Sequence, residues 1–400
     1  MKEVLIKEYN NLFRTKKISK SLKNDFIVSF LKGAKLEITD KVNKKYKVQF
    51  INQKNKELIH ESELTNNMWS KTSTEYFINY NIIVKDLDSS EILFEHKFNA
   101  KDKRVYIHFD SKALGDTLAW FPYAEEFRKK HQCELIVSTF HNDMFKENYP
   151  DITFANPGEV QYNLYAMYEM GWHYKENEEI DERKNPSNFR LKNLQESSAE
   201  VLGVEYKEIK PNLTFPKSKP IIEDPYVCIA PHASAHAKYW NNPGGWQSVI
   251  DDLNTRGYKV MMITLEPLGD EWHDSKLGGK LKNVIDRTGK IPLSEIANDI
   301  MNAEAFIGVS SGLSWLAWSL KSPIVMISGF SEPFTEFKDC ERIASPINKC
   351  SGCFNRTILD AGDWEWCPDH KDTDRMFECT KEITPDVVIN AVHRQLEKSS

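Results

Sequence analysis

The sequence predicts an α/β protein with two doubly wound domains that follow a β-rich segment. In the first hundred residues, apolar and polar side chains alternate with the period of a strand. Short apolar runs then alternate with stretches of helical spacing, over residues 104–158 and again over residues 225–330. A break near residues 215–225 separates these two series. We therefore expect two doubly wound domains that face each other across a cleft.

The β-rich segment is assigned to residues 1–100. Its strands are predicted in "EITDKVNKKYKVQFINQ" and "YFINYNIIVKDLDSSEILFEHKF". "DLDSSE" is a turn signal between two such strands. This segment should form a small antiparallel sheet or barrel.

The first doubly wound domain is assigned to residues 101–222. Its strands are predicted in "RVYIHF" (104–109), "ELIVST" (134–139) and "ITFANPG" (152–158), and its helix in "TLAWFPYAEEFRKKH". No element is predicted between residues 160 and 200.

The second doubly wound domain is assigned to residues 223–345. Its strands are predicted in "PYVCIAPHA", "KVMMITLEP", "AEAFIGVSSG" and "SPIVMISGF", and its helices in "GGWQSVIDDLNTRG" and "LSWLAWSL". A final helix is predicted over residues 383–400, with Thr384 as N-cap and Pro385 at its first position.

Composition excludes several classes of protein. The chain of 400 residues has a net charge of -6, which argues against a nucleic-acid or membrane-surface binder. It has no signal-peptide pattern and no apolar run of about 18 residues, so a cytoplasmic location is expected. The first parallel strand is not followed by GxGxxG, and there is no Walker-type loop, which disfavours dehydrogenases and nucleoside triphosphatases.

Ligands of open parallel sheets bind beyond the carboxyl ends of the strands, and "HFDSKALGDTLAWFP" lies at such an end. Asp110 or Asp116 in this loop can serve as general base toward an acceptor hydroxyl. Gly115 lets the backbone turn sharply and approach a ligand closely. The alternative is that Asp116 only caps the following helix.

Three further segments lie at strand ends. "APHASAHAKYWNNPGGW" places Lys238 among small residues, which suits a phosphate, whereas the alternative is a solvated surface lysine. Ser310, Ser311 and Gly312 open a helix whose N–H groups can bind a diphosphate, unless the serines only cap it. Glu332 and Glu336 in "SGFSEPFTEF" can reach sugar hydroxyls or lie in a solvated loop.

Four of the seven cysteines lie in the last 51 residues, at Cys350, Cys353, Cys367 and Cys379. The spacing C-x2-C-x13-C-x11-C is typical of a four-thiolate metal site, and a metal-binding finger is assigned to residues 346–382. Zinc is favoured on abundance, and iron also suits thiolates. A closed shell of four thiolates leaves no place for substrate, so the metal should be structural. The alternative is four reduced thiols in a packed segment.

Together these segments resemble a known family. "GDTLAWFP", "AKYWNNPGGW" and "GVSSGLSWLAWSL" are similar to motifs of the ADP-heptose glycosyltransferases. With the β-rich front and the cysteine cluster, the chain resembles the bacterial autotransporter heptosyltransferases. That resemblance implies a GT-B glycosyltransferase fold with two Rossmann-like domains. It implies Asp116 as catalytic base, with Asp110 as second candidate, and it implies that Lys238, Ser310, Ser311 and Gly312 hold the diphosphate. The further candidate substrate-binding residues are Gly115, Thr117, Ser234, Trp240 and Glu332.

The resemblance also implies partners. The donor would be ADP-heptose, the acceptor serine hydroxyls of an autotransporter passenger domain, and the metal iron in the four-cysteine finger. The chain would assemble into a homo-oligomer, for which a ring of about twelve copies is expected, without nucleic acid or membrane partners. The alternatives are a glycosyltransferase with another nucleotide sugar or a glycan acceptor, and a non-catalytic scaffold that binds a nucleotide sugar.

Overall fold

The computed structural model describes residues 25–39, 44–216 and 218–399. Residues 1–24 and 40–43, on which part of the predicted β-rich domain falls, lie outside the described residues. The chain divides into two compact units. Unit 1 takes the described residues up to Lys112, together with Trp120–Asn188 and Gln195–Lys207. Unit 2 takes Ala113–Ala119, Phe189–Leu194 and the described residues from Glu208 onward.

Unit 1 contains two β-sheets. Its strands are β1 (Asp25–Leu31), β2 (Lys35–Thr39), β3 (Lys45–Asn52), β4 (Leu58–Thr65), β5 (Trp69–Lys71), β6 (Tyr80–Asp86), β7 (Ile92–Lys97), β8 (Arg104–Phe109), β9 (Glu134–Ser138), β10 (Ile152–Phe154) and β11 (Ala166–Met170). Most residues of two helices also belong to it, α1 (Leu114–His131) and α2 (Leu194–Val201). The first residues of α1 belong to unit 2, so this helix contributes to both units.

The larger sheet of unit 1 has the strand order β10-β9-β8-β11-β1-β2-β5. The pairs from β10 to β1 are parallel, and β2 and β5 are added antiparallel. From β8 the chain continues to β9 and β10 on one side, and β11 lies on the other. This reversal of strand order next to β8 is the pattern of a doubly wound sheet.

The smaller sheet of unit 1 has the order β4-β3-β6-β7, and all its pairs are antiparallel. Along β3 the alternate side chains of Tyr46, Val48 and Phe50 are fully buried, so one face of the strand packs into the core. The period-two pattern therefore predicted this antiparallel sheet, and the "DLDSSE" turn lies between β6 and β7.

The β-rich front is divided between both sheets, which the sequence did not predict. β1 pairs in parallel with β11, with Phe30 opposite Ala166, and Phe30 N–H donates to the Tyr165 carbonyl at 2.9 Å. A pairing between strands more than a hundred residues apart leaves no local pattern. The division of the chain into five segments stays a prediction.

Unit 2 is built on one six-stranded sheet with the order β14-β13-β12-β15-β16-β17, in which every pair is parallel. The strands are β12 (Tyr226–Ala230), β13 (Lys259–Thr264), β14 (Ile285–Thr288), β15 (Ala305–Val309), β16 (Ile324–Ser328) and β17 (Glu341–Ala344). The central strands β12, β15 and β16 are buried at every position. They therefore read as continuous apolar runs, as expected for parallel strands covered on both faces.

The helices of unit 2 are α3 (Gly245–Thr255), α4 (Glu271–Lys276), α5 (Leu293–Met301), α6 (Gly312–Ser319), α7 (Cys353–Arg356), α8 (Glu378–Lys381) and α9 (Pro385–Ser399). α9 contacts α3, β15, β16 and β17. Its buried side chains Val388, Ala391 and Val392 join the core of the sheet. The C-terminal helix is thus part of unit 2.

Most predicted elements of both doubly wound series are confirmed within one to three residues. The helix after β8 begins at Leu114 and not at Thr117. β11, α2, β14, α5 and β17 were not predicted. Within the described parts of the chain, every helix is too short or too polar to cross a bilayer.

Candidate active site

Two neighbouring strands of unit 2 mark the expected position of a ligand. β12 and β15 lie side by side, and the chain proceeds from β12 toward β13 on one side and from β15 toward β16 on the other. Ligands of open parallel sheets bind beyond the carboxyl ends at such a reversal. The predicted lysine loop follows β12, and the Ser-Ser-Gly segment follows β15. The sheet therefore brings two of the predicted segments to the same edge.

Lys238 of the first segment is half-buried. Its ammonium group donates to the Ser234 hydroxyl at 3.2 Å and lies 5.1 Å from the centre of the Phe330 ring. Burial lowers the pKa of Lys238, and the nearby carboxylates of Asp116 and Glu336 oppose this shift. A cation that is partly withdrawn from water interacts more strongly with an anion. The side chain is thus partly withdrawn from water and is not the fully solvated lysine of the alternative interpretation.

Trp240 holds this loop from inside the core. Its indole is fully buried, and Nε1–H donates to the Ile383 carbonyl at 3.0 Å. A side chain on Gly245 would come within 2.6 Å of the Trp240 ring, so only glycine lets the start of α3 approach it this closely. The structure does not bring Trp240 to the surface that carries Lys238, and its role there is packing.

The loop is also fastened to the cysteine-rich segment. Asn241 Nδ2 donates to the Thr380 hydroxyl at 3.0 Å, and Asn242 Nδ2 donates to the Lys381 carbonyl at 2.8 Å. Both acceptors lie on α8, next to Cys379. The position of Lys238 therefore depends on the ordering of α8.

Asp116 belongs to the first turn of α1. We predicted it in the loop or at the N-cap, but the helix begins two residues earlier, at Leu114. A carboxylate in the first turn is stabilised by the helix dipole. Thr117 is buried, and its hydroxyl donates back to the Ala113 carbonyl at 3.2 Å. Asp116 is thus the third residue of the helix and does not occupy its N-cap position.

Two glycines let the starts of α1 and α6 touch. A Cβ atom on Gly312 would lie 3.0 Å from Leu114 Cβ and 3.2 Å from the Gly115 nitrogen. A Cβ atom on Gly115 would lie 3.1 Å from the Trp315 ring. This close approach explains why the first residues of α1 belong to unit 2, and it places Asp116 next to the helix that opens with Ser311 and Gly312.

The serines at the start of α6 do not cap it in the predicted way. Ser311 occupies the N-cap position, but its hydroxyl oxygen is buried and makes no hydrogen bond there. Ser310 instead donates its hydroxyl proton to the Glu336 carboxylate. Plain N-capping is therefore not what these two serines provide.

Glu336 is buried, with only 4% of its surface exposed. Besides the contact from Ser310, its carboxylate accepts a hydrogen bond from Arg342 Nη1 at 2.7 Å. The backbone of this loop is held as well, because Asn193 Nδ2 donates to the carbonyls of Phe334 and Glu336 at 3.1 and 2.7 Å. The solvated loop that we considered for this glutamate is therefore wrong.

Glu332 lies at the other end of the same loop and is half-buried. Its carboxylate accepts a hydrogen bond from the Ser351 hydroxyl at 3.2 Å, and its backbone N–H donates to Asn355 Oδ1 at 2.8 Å. Both of these partners belong to the cysteine-rich segment. Glu332 is therefore hydrogen-bonded to that segment.

Asp110 lies in unit 1, directly after β8, and is exposed. Its N–H donates to the Met170 carbonyl at 2.9 Å. His173 lies beside it, because a Cβ atom on Gly171 would be 2.8 Å from the His173 ring and 3.4 Å from Asp110 Cβ. Nearby, Lys184 Nζ lies 2.7 Å from Glu169. Asp110 and Asp116 are therefore parts of two different polar groups, one in each unit.

The four C-terminal cysteines are reduced thiols. A hydrogen bond with Cys379 lowers the pKa of Cys350 to about 7, whereas burial raises the pKa of Cys353 to about 11. The thiols of Cys350, Cys353 and Cys367 each interact electrostatically with Cys379. The three thiols are therefore electrostatic neighbours of Cys379, whereas among the described residues the group whose ligand atoms all lie within 4.8 Å of one another includes only Cys350 of these cysteines.

The cysteine-rich segment has few large side chains of its own. Cys353, Cys367, Trp366 and Phe377 form a small buried cluster with Phe330 from the main body of unit 2. A second possible ligand group also exists there, since one ligand atom each of Cys350, His370 and Glu378 lie within 4.8 Å of one another. Sulfur, imidazole and carboxylate ligands fit zinc or iron, but this donor set differs from the four thiolates predicted for the segment.

Sequence reasoning did not find Arg342, Asn193, His173 or Lys184. Each is an ordinary polar residue in a stretch without a motif, and each meets its partner only through the register of a sheet or the path of a loop. The one available signal was the position of Glu336 after a buried strand.

Comparison with known proteins gives a consistent result. Residues 170–358 match the family model for glycosyltransferase family 9 (heptosyltransferase). The chain is 38% identical to the autotransporter heptosyltransferase TibC of Escherichia coli O78:H11, over 82% of this chain and 81% of TibC. It is also 38% identical to the autotransporter heptosyltransferase BAHTCr of Citrobacter rodentium, over 83% of this chain and 81% of the relative.

The fold agrees with these similarities. The crystal structure of dodecameric, iron-containing TibC in complex with ADP-D-β-D-heptose superposes with a TM-score of 0.84 at 32% identity, covering 96% of this chain and 100% of TibC. The α/β fold class predicted from the sequence is thereby confirmed. The chain belongs to the autotransporter heptosyltransferases of glycosyltransferase family 9.

Proposed function

We propose that this protein transfers heptose from ADP-heptose to serine hydroxyls of an autotransporter passenger domain. The observation that carries the proposal is the grouping of Lys238, Asp116 and the start of α6 within unit 2. These supply a cation, a carboxylate and the N–H groups of a helix start, which suit an anionic diphosphate and a hydroxyl that must lose its proton. The relative TibC binds ADP-D-β-D-heptose.

In the proposed reaction, the acceptor oxygen forms a bond to the anomeric carbon while the bond from that carbon to the β-phosphate oxygen breaks. The hydroxyl proton passes to the Asp116 carboxylate, and ADP leaves with the bonding electron pair. Lys238 and the first N–H groups of α6, next to Ser311 and Gly312, stabilise the charge that develops on the diphosphate. Gly115 keeps the start of α1 close enough for Asp116 to take part.

Replacement of the base tests this assignment. We expect Asp116→Asn to reduce transfer by about two to four orders of magnitude, since the amide cannot accept the proton, and to leave ADP-heptose affinity near that of the wild type. Transfer is read from the intact mass of a co-expressed passenger, and donor affinity from calorimetry.

Asp110→Asn serves as the parallel variant. If it abolishes transfer while Asp116→Asn retains it, Asp110 is the base and the role given to Asp116 is wrong. If the wild-type protein does not increase the mass of a passenger by whole heptose units, the proposed function itself is wrong.

We further propose that Cys350, Cys353, Cys367 and Cys379 hold a structural iron ion, with zinc as the alternative. Support comes from four reduced thiols, three of which are electrostatic neighbours of the fourth, Cys379, and from the iron content of TibC. A metal with four thiolates would order residues 346–382, which contribute only four buried side chains to the hydrophobic cluster there. These residues would act as a finger that supports the lysine loop through α8.

The relative TibC is a dodecamer, and we propose that this chain also assembles into a homo-oligomer. Mass photometry of the purified protein tests it, because a ring of about twelve copies and a monomer differ about twelvefold in mass.

A further inference from the structure

One buried carboxylate of unit 2, that of Glu336, has no part in the proposed reaction. Glu336 is buried, lies in the loop after β16, and is near the ammonium group of Lys238. Burial of a carboxylate is costly unless it is paired and hydrogen-bonded. Here Arg342 supplies the charged partner at 2.7 Å, and the Ser310 hydroxyl supplies a second donor.

Because of these two partners of Glu336, the proton of the Ser310 hydroxyl points in one direction. A carboxylate that is paired with arginine is ionised and only accepts hydrogen bonds. The Ser310 hydroxyl therefore points its single proton at Glu336. Its remaining neighbour, the Ser331 hydroxyl at 3.5 Å, lies at the limit of a hydrogen bond. Ser310 is left with an oxygen lone pair and no proton to offer.

The residue itself lies at the place in the sheet where a ligand is expected. Ser310 is the first residue after β15, at the carboxyl edge of the sheet and at the start of α6. A phosphate oxygen accepts hydrogen bonds and would meet another acceptor at this point. A hydroxyl group can donate to the lone pair. The chemistry of Ser310 in this structure thus selects a hydroxyl and rejects a phosphate.

We propose that Ser310 accepts a hydrogen bond from a hydroxyl of the donor, either on the sugar or on the ribose, and that Glu336 with Arg342 positions it for this contact. The proposal rests on the function given above and refines it, since the diphosphate is then left to Lys238 and the N–H groups of α6. Glu336 and Arg342 act through Ser310 and are positioning residues.

Ser310→Ala tests the contact by calorimetry with ADP-heptose and with ADP. If the hydroxyl belongs to the sugar, we expect ADP-heptose to bind roughly three- to tenfold more weakly, as for one neutral hydrogen bond, and ADP to bind as to the wild type. If it belongs to the ribose, both ligands weaken alike, and either 2′-deoxy-ADP or 3′-deoxy-ADP binds wild type and variant equally.

Two results overturn the proposal. One is equal weakening of ADP and of both deoxy analogues, which would mean that Ser310 contacts the phosphates. The other is unchanged affinity for every ligand. Failure of the wild type to bind ADP-heptose would instead contradict the proposed function, so the two failures are distinguishable. Ser319→Ala, which removes another buried serine hydroxyl of α6, is the matched control and should bind both ligands normally.

Glu336→Gln tests the positioning. The amide can donate to Ser310, so the serine proton is free to turn outward and the preference for a donating hydroxyl is lost. We expect this variant to show the same selective loss of affinity as Ser310→Ala, and the double variant to lose no more than either single one. Additive losses would contradict an action through Ser310. The thermal midpoint of each variant identifies any loss that comes from unfolding.

Discussion

At the scale of single residues, some side chains of the site lie in recognisable sequence motifs and others do not. Asp116 and Lys238 stand in recognisable segments, and the structure places both in unit 2. Glu336 was found only as one of two acidic residues in a loop, and its partner Arg342 was not found. Arg342 lies on β17 and reaches Glu336 because the loop before that strand folds back.

His232 carries a prediction about pH. It follows β12, is 4% exposed, and its Nδ1 lies 3.1 Å from the Thr264 hydroxyl. Burial lowers the pKa of His232 to about 4, although Glu266 opposes the shift. In the unfolded chain His232 therefore binds a proton near pH 6.5, whereas in the native protein it binds one only near pH 4. The stability of the native state should fall as the pH is lowered between these values.

We expect His232→Gln to lose less stability than the wild type between pH 7 and pH 4.5, by about 2 kcal/mol. Urea denaturation at both pH values measures this difference. At pH 8, where the wild-type histidine is neutral in both states, any difference between the two proteins reports packing alone. An identical pH dependence in both proteins would contradict the assignment.

At the scale of secondary-structure elements, the sequence predicted the strands whose own residues carry a clear apolar pattern. β8, β12, β15 and β16 are buried apolar runs, and their positions were predicted within three residues. β14 and β17 at the two edges of the sheet are only four residues long and half-buried, and they have no such signal. The start of α1 was misplaced because Gly115 disfavours a helix, and its contact with α6 compensates for that.

That contact between the starts of α1 and α6 gives a second prediction. Gly312→Ala adds a methyl group 3.0 Å from Leu114 Cβ and 3.2 Å from a backbone nitrogen. The two helices must move apart, so we expect a loss of about 1–3 kcal/mol in unfolding free energy and slower transfer, because Asp116 moves with α1.

Denaturation and transfer assays measure both effects. Gly362→Ala is the matched control, since the nearest group to its methyl is the flexible Asp360 carboxylate at 3.2 Å, and it should behave as the wild type. Normal transfer by Gly312→Ala would show that the close approach of the two helices is not needed.

At the scale of the whole molecule, the sequence predicted two doubly wound series. It did not predict which strands of the N-terminal segment join which sheet. β1 joins β11, and this pairing depends on residues far apart in sequence. The cysteine-rich segment was visible from its spacing, whereas its attachment to the lysine loop through Thr380 and Lys381 was not. Such attachments arise only once both partners are folded.

Removal of the metal should therefore affect more than the finger. We expect Cys353→Ser to lose most of about one equivalent of iron or zinc per chain, to unfold at a lower temperature, and to bind ADP more weakly because α8 no longer holds Asn241. Elemental analysis, thermal denaturation and calorimetry measure these changes.

Cys340→Ser is the control for that experiment. Cys340 is a half-buried thiol outside the predicted ligand set, and its loss should leave the metal content unchanged. If Cys353→Ser keeps its metal, the group of Cys350, His370 and Glu378 becomes the better candidate.

The division of α1 between the two units limits how this enzyme can be truncated or combined with a relative in a chimaera. Because the helix begins in one unit and ends in the other, a fragment that starts at Glu208 would keep Lys238 but discard Asp116, the carboxylate that is proposed to deprotonate the acceptor. Chimaeras that exchange acceptor preference between relatives must therefore carry residues 113–119 along with the C-terminal half. A single crossover point cannot achieve that, because residues of unit 1 separate these two segments in the sequence, and three are required.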